Sequence, residues 1–65
     1  MESDFLFTNH GSICILTPLS EAARVWTVEF IPSEAQTWGD GIVIEPRYAQ
    51  DILDGVLNDG LTVAQ

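Results

Sequence analysis

Between Pro46 and Gly60, the residues Tyr48, Ala49, Ile52, Leu53, Val56 and Leu57 recur at i, i+1, i+4, i+5, i+8 and i+9. That spacing places them along one side of an α-helix. A helix with a single apolar stripe buries it against another element, so the rest of the chain must offer a matching surface. Pro46 suits the first helical position, where its missing N–H costs nothing. Gly55 weakens the helix interior by about 1 kcal/mol relative to alanine and points to close packing. Asn58-Asp-Gly60 ends the helix, with Gly60 as its left-handed residue.

The matching surface comes from short β-prone runs. Phe5-Leu-Phe-Thr8 and Ser12-Ile-Cys-Ile-Leu16 flank Asn9-His-Gly11, whose Asn and Gly suit a turn. Residues 4–8 and 12–17 are read as an antiparallel hairpin with a three- to four-residue loop. The continuous apolar run Ile13–Leu16 fits both a two-faced strand and a fully buried one. Thr17-Pro-Leu-Ser20 ends the hairpin and starts a helix. Either Thr17 caps it with Pro18 first, or Ser20 caps it with Glu21 in the first turn. From Glu21 to Phe30, an apolar stripe of Ala22, Ala23, Trp26 and Phe30 runs with Val25 beside it, and Pro32 limits its extent. Residues 32–41 lack a period and read as the one real loop, with a single helical turn conceivable at Ser33-Glu-Ala-Gln36. Gly41-Ile-Val-Ile-Glu45 reads as a strand whose β-branched triplet points to burial on both faces, and Leu61-Thr-Val63 as a short final strand.

The order is ββαβαβ, which defines an α+β single domain over residues 1–65 with two helices on one face of a short sheet. The strands at 41–45 and 61–63 flank a helix, an arrangement compatible with a parallel, right-handed crossover between them. Phe5, Phe7, Ile13, Ile15, Ala22, Trp26, Phe30, Ile42, Ile44, Ile52, Leu53, Val56 and Leu57 are expected to supply most of the core.

Composition sets limits on what such a domain does. Apolar residues make up 46% of the chain, enough to offset ordering entropy despite the charge, so a folded domain is expected rather than a disordered one. The single cysteine, Cys14, rules out an intrachain disulfide framework. No basic n-region precedes the apolar stretch Ile13–Leu16, and the apolar runs fall far short of the roughly 20 residues that span a bilayer. A cytoplasmic location, with no membrane contact, is expected.

Ten carboxylates stand against two arginines, with no lysine, for a formal charge of −8. Such a surface repels nucleic acid and anionic membranes and is steered toward basic surfaces. Arg24 and Arg47 are too few to neutralise several phosphates, so direct nucleic-acid binding is disfavoured. Local pairing is expected for both: Arg24 with Glu21, and Arg47 with Asp51 or Asp54.

Catalytic material is scarce. His10 and Cys14 are the one conceivable nucleophile–base pair, but Cys14 falls in an apolar run where a thiol serves as a small hydrophobe. One cysteine and one histidine do not make a zinc site, Asn58-Asp-Gly60 is only a fragment of a calcium loop, and the glycines form no phosphate-binding motif. No enzyme activity, cofactor or metal is expected.

What remains is the acid itself. Residues 33–65 hold six of the ten carboxylates and one arginine. Asp51 and Asp54 share the solvent side of the second helix, with Asp59 flanking it, and two helical turns cover about 10 Å. The loop adds Glu34 and Asp40, and Glu45 sits at the helix start. Trp38, in the loop, either caps the core or is a partly exposed anchor of the kind enriched in binding hot spots.

The small size, acidity, lack of lysine and lack of catalytic residues resemble phage- and mobile-element-encoded inhibitors, including nucleic-acid-mimicking anti-CRISPR proteins. Phe5-Leu-Phe-Thr-Asn-His-Gly11 and Tyr48-Ala-Gln-Asp-Ile-Leu-Asp-Gly55 are similar to segments of small bacterial and prophage proteins. The resemblance implies carboxylates that replace phosphates in a basic channel and block it by occupancy. The expected function is therefore an acidic inhibitor or binding protein that engages a basic surface of a nucleic-acid-handling partner through Glu34, Trp38, Asp40, Glu45, Asp51, Asp54 and Asp59. The alternative is an antitoxin-like or regulatory partner that binds mainly through apolar surface around Trp38 or a sheet edge.

Overall fold

The computed structural model describes residues 3–32 and 34–65; Met1, Glu2 and Ser33 lie outside them. In chain order the elements are β1 (Phe5–Asn9), β2 (Cys14–Pro18), α1 (Glu21–Phe30), β3 (Thr37–Trp38), β4 (Gly41–Ile44), α2 (Pro46–Asn58) and β5 (Val63–Ala64). The strands form one mixed sheet in the order β3-β4-β2-β1-β5. Neighbours are antiparallel except β1 and β5, which run parallel. This is the expected α+β architecture with one further strand.

Strand register decides which residues meet the helices. Phe5 pairs with Pro18, Phe7 with Leu16 and Asn9 with Cys14, while Leu16 and Cys14 pair onward with Ile42 and Ile44. Paired residues point the same way, so Phe5, Phe7, Cys14, Leu16, Ile42 and Ile44 share one face. Ala23 and Trp26 of α1 and Ala49 and Val56 of α2 bury against that face. Ile13 is therefore not a core residue. It lies in the 10–13 loop, exposed, and the alternation that turns Cys14 and Leu16 inward turns its parity outward. Ile15 shares that outward parity, yet it is only 5% exposed.

Ser20 is the N-cap of α1: its Oγ accepts from the Ala23 N–H at 3.1 Å. The helix stops at Ile31, whose N–H donates to Thr27 O, just before Pro32. The stripe that packs is Ala23, Trp26 and Ile31, with Thr27 half-buried beside it. Ala22 and Phe30, expected in the core, instead sit on the exposed rim, because the contact line runs one residue further round the helix. In α2 the contact line is Ala49, Ile52, Leu53 and Val56. Leu57, also expected inside, is exposed at the flank of that line.

The α2 C-terminus is a complete Schellman closure. Gly60 N–H donates to Leu57 O (3.0 Å) and Leu61 N–H to Val56 O (3.2 Å), with Gly60 at φ 83°. Leu61 turns onto the core beside Val56, and β5 then runs alongside β1.

Two further expectations change. The 32–41 segment is not all loop: Thr37 and Trp38 pair with Ile42 and Gly41, so Gly39-Asp40 is a two-residue hairpin turn. Gly39 has φ 60°, the conformation a type II′ turn demands at its first central position. Around the helical turn expected at 33–36, Ala35 N–H donates to Pro32 O (3.0 Å), while Ser33 itself lies outside the described residues. β4 and β5 do run parallel, but β2 and β1 lie between them, so the α2 crossover skips two strands. β4 is buried chiefly on one face: Ile42 and Ile44 meet the core, whereas Val43 is half-buried on the face without helices.

Candidate functional site

Both arginines are occupied close to home. Arg24 Nη1 lies 3.9 Å from Glu21 Oε2. Arg47 does not reach Asp51 or Asp54; its Nε donates to Glu45 Oε2 at 2.8 Å, and its guanidinium lies 4.9 Å from the Tyr48 ring centroid. Arg47 and Glu45 bracket Pro46 at the helix start, so the short Glu45 reach wins over the helical i, i+4 partner. Both pairs are exposed and contribute little to stability.

The carboxylates of the described residues fall into two sets. Asp4 is structural: its Oδ1 accepts from Ser20 Oγ (2.7 Å) and its Oδ2 from the Thr62 N–H (3.0 Å) and Thr62 Oγ1 (3.3 Å). The Ser20 hydroxyl, then the Thr62 amide, hold the Asp4 carboxyl below the usual aspartate range, against the opposing effect of desolvation. Asp59, the C-cap of α2, is structural as well, since its Oδ2 accepts from Trp26 Nε1 at 2.7 Å. The other set faces solvent. Asp51 and Asp54 are exposed on α2, and Asp54 Oδ1 accepts from Gln50 Nε2 (2.8 Å). Among the described residues, the side chains of Glu29, Asp40 and Asp51 make no hydrogen bond or ion pair. Glu34 is exposed in the connection between α1 and β3.

Trp38 does not cap the helix-covered core. Its partner Gly41 points, by its missing Cβ, at Ile15 Cγ2 and Thr17 Oγ1, which places Trp38 on the opposite, helix-free face. Trp38 is 64% exposed there and meets the His10 ring edge-on at 5.9 Å between centroids. Leu6 and Ile13 are exposed large hydrophobics with the same strand parity. The seven residues named from the sequence thus do not form one patch. Asp51 and Asp54 lie on a helix covering one face of the sheet, while Trp38 stands on the other.

Cys14 points into the core at 1% exposure, whereas His10 sits in the β1–β2 turn against Trp38. The two occupy opposite faces and do not form a nucleophile–base pair. Among the described residues, no group of three or more His, Cys, Asp or Glu side chains is placed to hold a metal ion, and no helix is long and apolar enough to cross a membrane. Sequence reasoning missed the Trp26–Asp59 and Asp4–Ser20–Thr62 contacts, which join residues far apart in the chain. It also missed β3, although Trp38-Gly-Asp-Gly41 carries the glycine-first signature of a tight hairpin.

No family model, curated protein or solved structure matches the chain.

Proposed function

We propose that this chain is a cytoplasmic acidic binding protein, of the stoichiometric inhibitor type, that engages a basic surface on a nucleic-acid-handling partner. The observation that carries this reading is uncompensated acid. Both arginines are spent on Glu21 and Glu45, which leaves Glu29, Asp40, Asp51 and Asp54 facing solvent with no cation beside them among the described residues. A field of one sign steers a basic partner toward the domain and repels nucleic acid. Carboxylates on an exposed helix supply the negative row that a phosphate-binding channel accepts, as in the nucleic-acid-mimicking inhibitors the chain resembles.

The test is affinity capture from a bacterial lysate at low and at high salt, followed by competition between this protein and DNA or RNA for the captured partner. Retention that falls with salt, together with mutual exclusion by nucleic acid, supports the proposal. Capture that is salt-independent and indifferent to nucleic acid sinks it.

The second reading is recognition through apolar surface, and one observation favours it. Trp38 stands 64% exposed on a sheet face that no helix covers. Because that face is opposite α2, substitutions at Trp38 and at Asp51/Asp54 act on separate surfaces and discriminate the two readings.

A further inference from the structure

A shallow groove of about 370 Å³ runs between the outer side of α1 and the C-terminal turn of α2. Val25, Trp26, Glu29 and Phe30 line it from α1, and Asp59 and Leu61 from the other wall. Its apolar part is built on Phe30, which is 58% exposed and leans on Trp26 with ring centroids 5.1 Å apart. Its polar part is two carboxylates on opposite walls, and no cationic side chain lines it. Asp59 is not a loose surface acid. Trp26 Nε1 holds its Oδ2 at 2.7 Å, and among the described residues Oδ1 accepts no hydrogen bond.

We infer that this groove is the docking site for an arginine side chain presented by a protein partner. The inference rests on the basic-partner reading above and names the contact within it. An arginine satisfies both halves of the groove at once. Its aliphatic stem covers Val25 and Leu61, and its planar guanidinium stacks on the exposed Phe30 ring. The same fork of N–H donors reaches carboxylates on both sides, Glu29 and Asp59, in charge-assisted hydrogen bonds. Lysine matches less well because its compact, strongly hydrated ammonium neither stacks nor bridges two acceptors in a plane. The two carboxylates also repel the phosphate backbone of a nucleic acid.

The probe is the tripeptide Gly-Arg-Gly, titrated into the isotope-labelled protein at millimolar concentration, with Gly-Lys-Gly and the neutral isostere Gly-citrulline-Gly as controls. The Trp26 indole N–H resonance should shift saturably with the arginine peptide, less with lysine and not with citrulline. The Trp38 indole, on the far face, is the internal reference and should stay still. Asp59→Asn keeps an acceptor for Trp26 while removing the charge, and Glu29→Gln alters an exposed residue, so both variants should fold. Each should weaken arginine binding by about fivefold or more, the scale of one lost charge-assisted contact. The inference is overturned if the Trp26 indole does not move, if citrulline binds as well as arginine, or if both variants bind arginine unchanged. Those outcomes concern the groove alone. The salt and competition experiment on the captured partner decides the basic-surface reading independently of them.

Discussion

Trp26 Nε1 donates to Asp59 Oδ2 across 2.7 Å and 33 positions of sequence, joining the middle of α1 to the C-cap of α2. α1 and α2 contribute to the same core, but this is the one side-chain hydrogen bond between them among the described residues. It also offsets an unfavourable placement, because a carboxylate at a helix C-terminus opposes the helix dipole. Asp59→Ala should therefore cost about 1 kcal/mol in urea unfolding, and Trp26→Phe, which keeps most of the ring contact, should cost more through lost volume. The double variant should show a coupling of about 1 kcal/mol between the two sites. Strict additivity would show that the bond contributes nothing.

Glycines 41 and 55 predict opposite results from the same substitution. A Cβ on Gly41 would collide with Ile15 Cγ2 and press on Thr17 Oγ1 at 2.9 Å, so Gly41→Ala should destabilise by about 1–3 kcal/mol. A Cβ on Gly55 would meet Trp26 Cζ2 at 3.7 Å, an ordinary contact inside a helix. Gly55→Ala should stabilise by about 1 kcal/mol. Thermal midpoints of the two variants, measured side by side, check both signs.

Asp4 ties β1 to the α1 cap and to Thr62, and its folded-state pKa is lowered by the Ser20 hydroxyl and the Thr62 amide. A depressed pKa means that the contribution is whole above the unfolded-state aspartate value. It is lost as pH falls through the lower folded-state value. Urea midpoints followed from about pH 5 down to pH 2 should therefore fall more steeply for the natural chain than for Asp4→Asn. Parallel curves would show that Asp4 is not a linkage site.

Cys14 is buried among Leu16, Ile42 and Ile44 on the core face. Its thiol should resist a labelling reagent in the native protein and react at once in denaturant, with the native rate tracking global unfolding. Fast labelling under native conditions would place Cys14 at the surface. Cys14→Ala should lose stability, by about 1 kcal/mol, without loss of partner binding.

Converting Asp51 and Asp54 together to Asn removes two exposed charges and keeps the Gln50 contact available. The fold should survive and gain slightly from reduced self-repulsion. Partner affinity at low salt should drop by about 0.5–2 kcal/mol per charge, and the difference should shrink as salt shortens the Debye length. A folded double variant that binds unchanged, beside a Trp38→Ala variant that does not bind, transfers recognition to the helix-free face.

Local chemistry made much of this protein readable from its residues alone. The hairpin, both helices and the glycine stop at position 60 follow from strand propensity, helical spacing and turn residues, and the burial of Cys14 from its apolar neighbours, each a matter of a few residues. The acid excess is likewise a property of composition. Tertiary structure decided the rest, because each remaining feature depends on two segments meeting. Whether Ile13 or Cys14 faces the helices is a matter of strand parity, which a continuous apolar run does not mark. The rotation of α1 that leaves Phe30 at the rim depends on where the sheet lies beneath it. Trp38 could be placed on a tight hairpin by its glycines, but only the pairing of β3 with β4 sets it on the face opposite α2. Asp59 looked like one more surface charge until the fold brought it to Trp26. Hydrogen bonds reach only a few ångströms, so what lies within that reach is fixed by packing and not by distance along the chain.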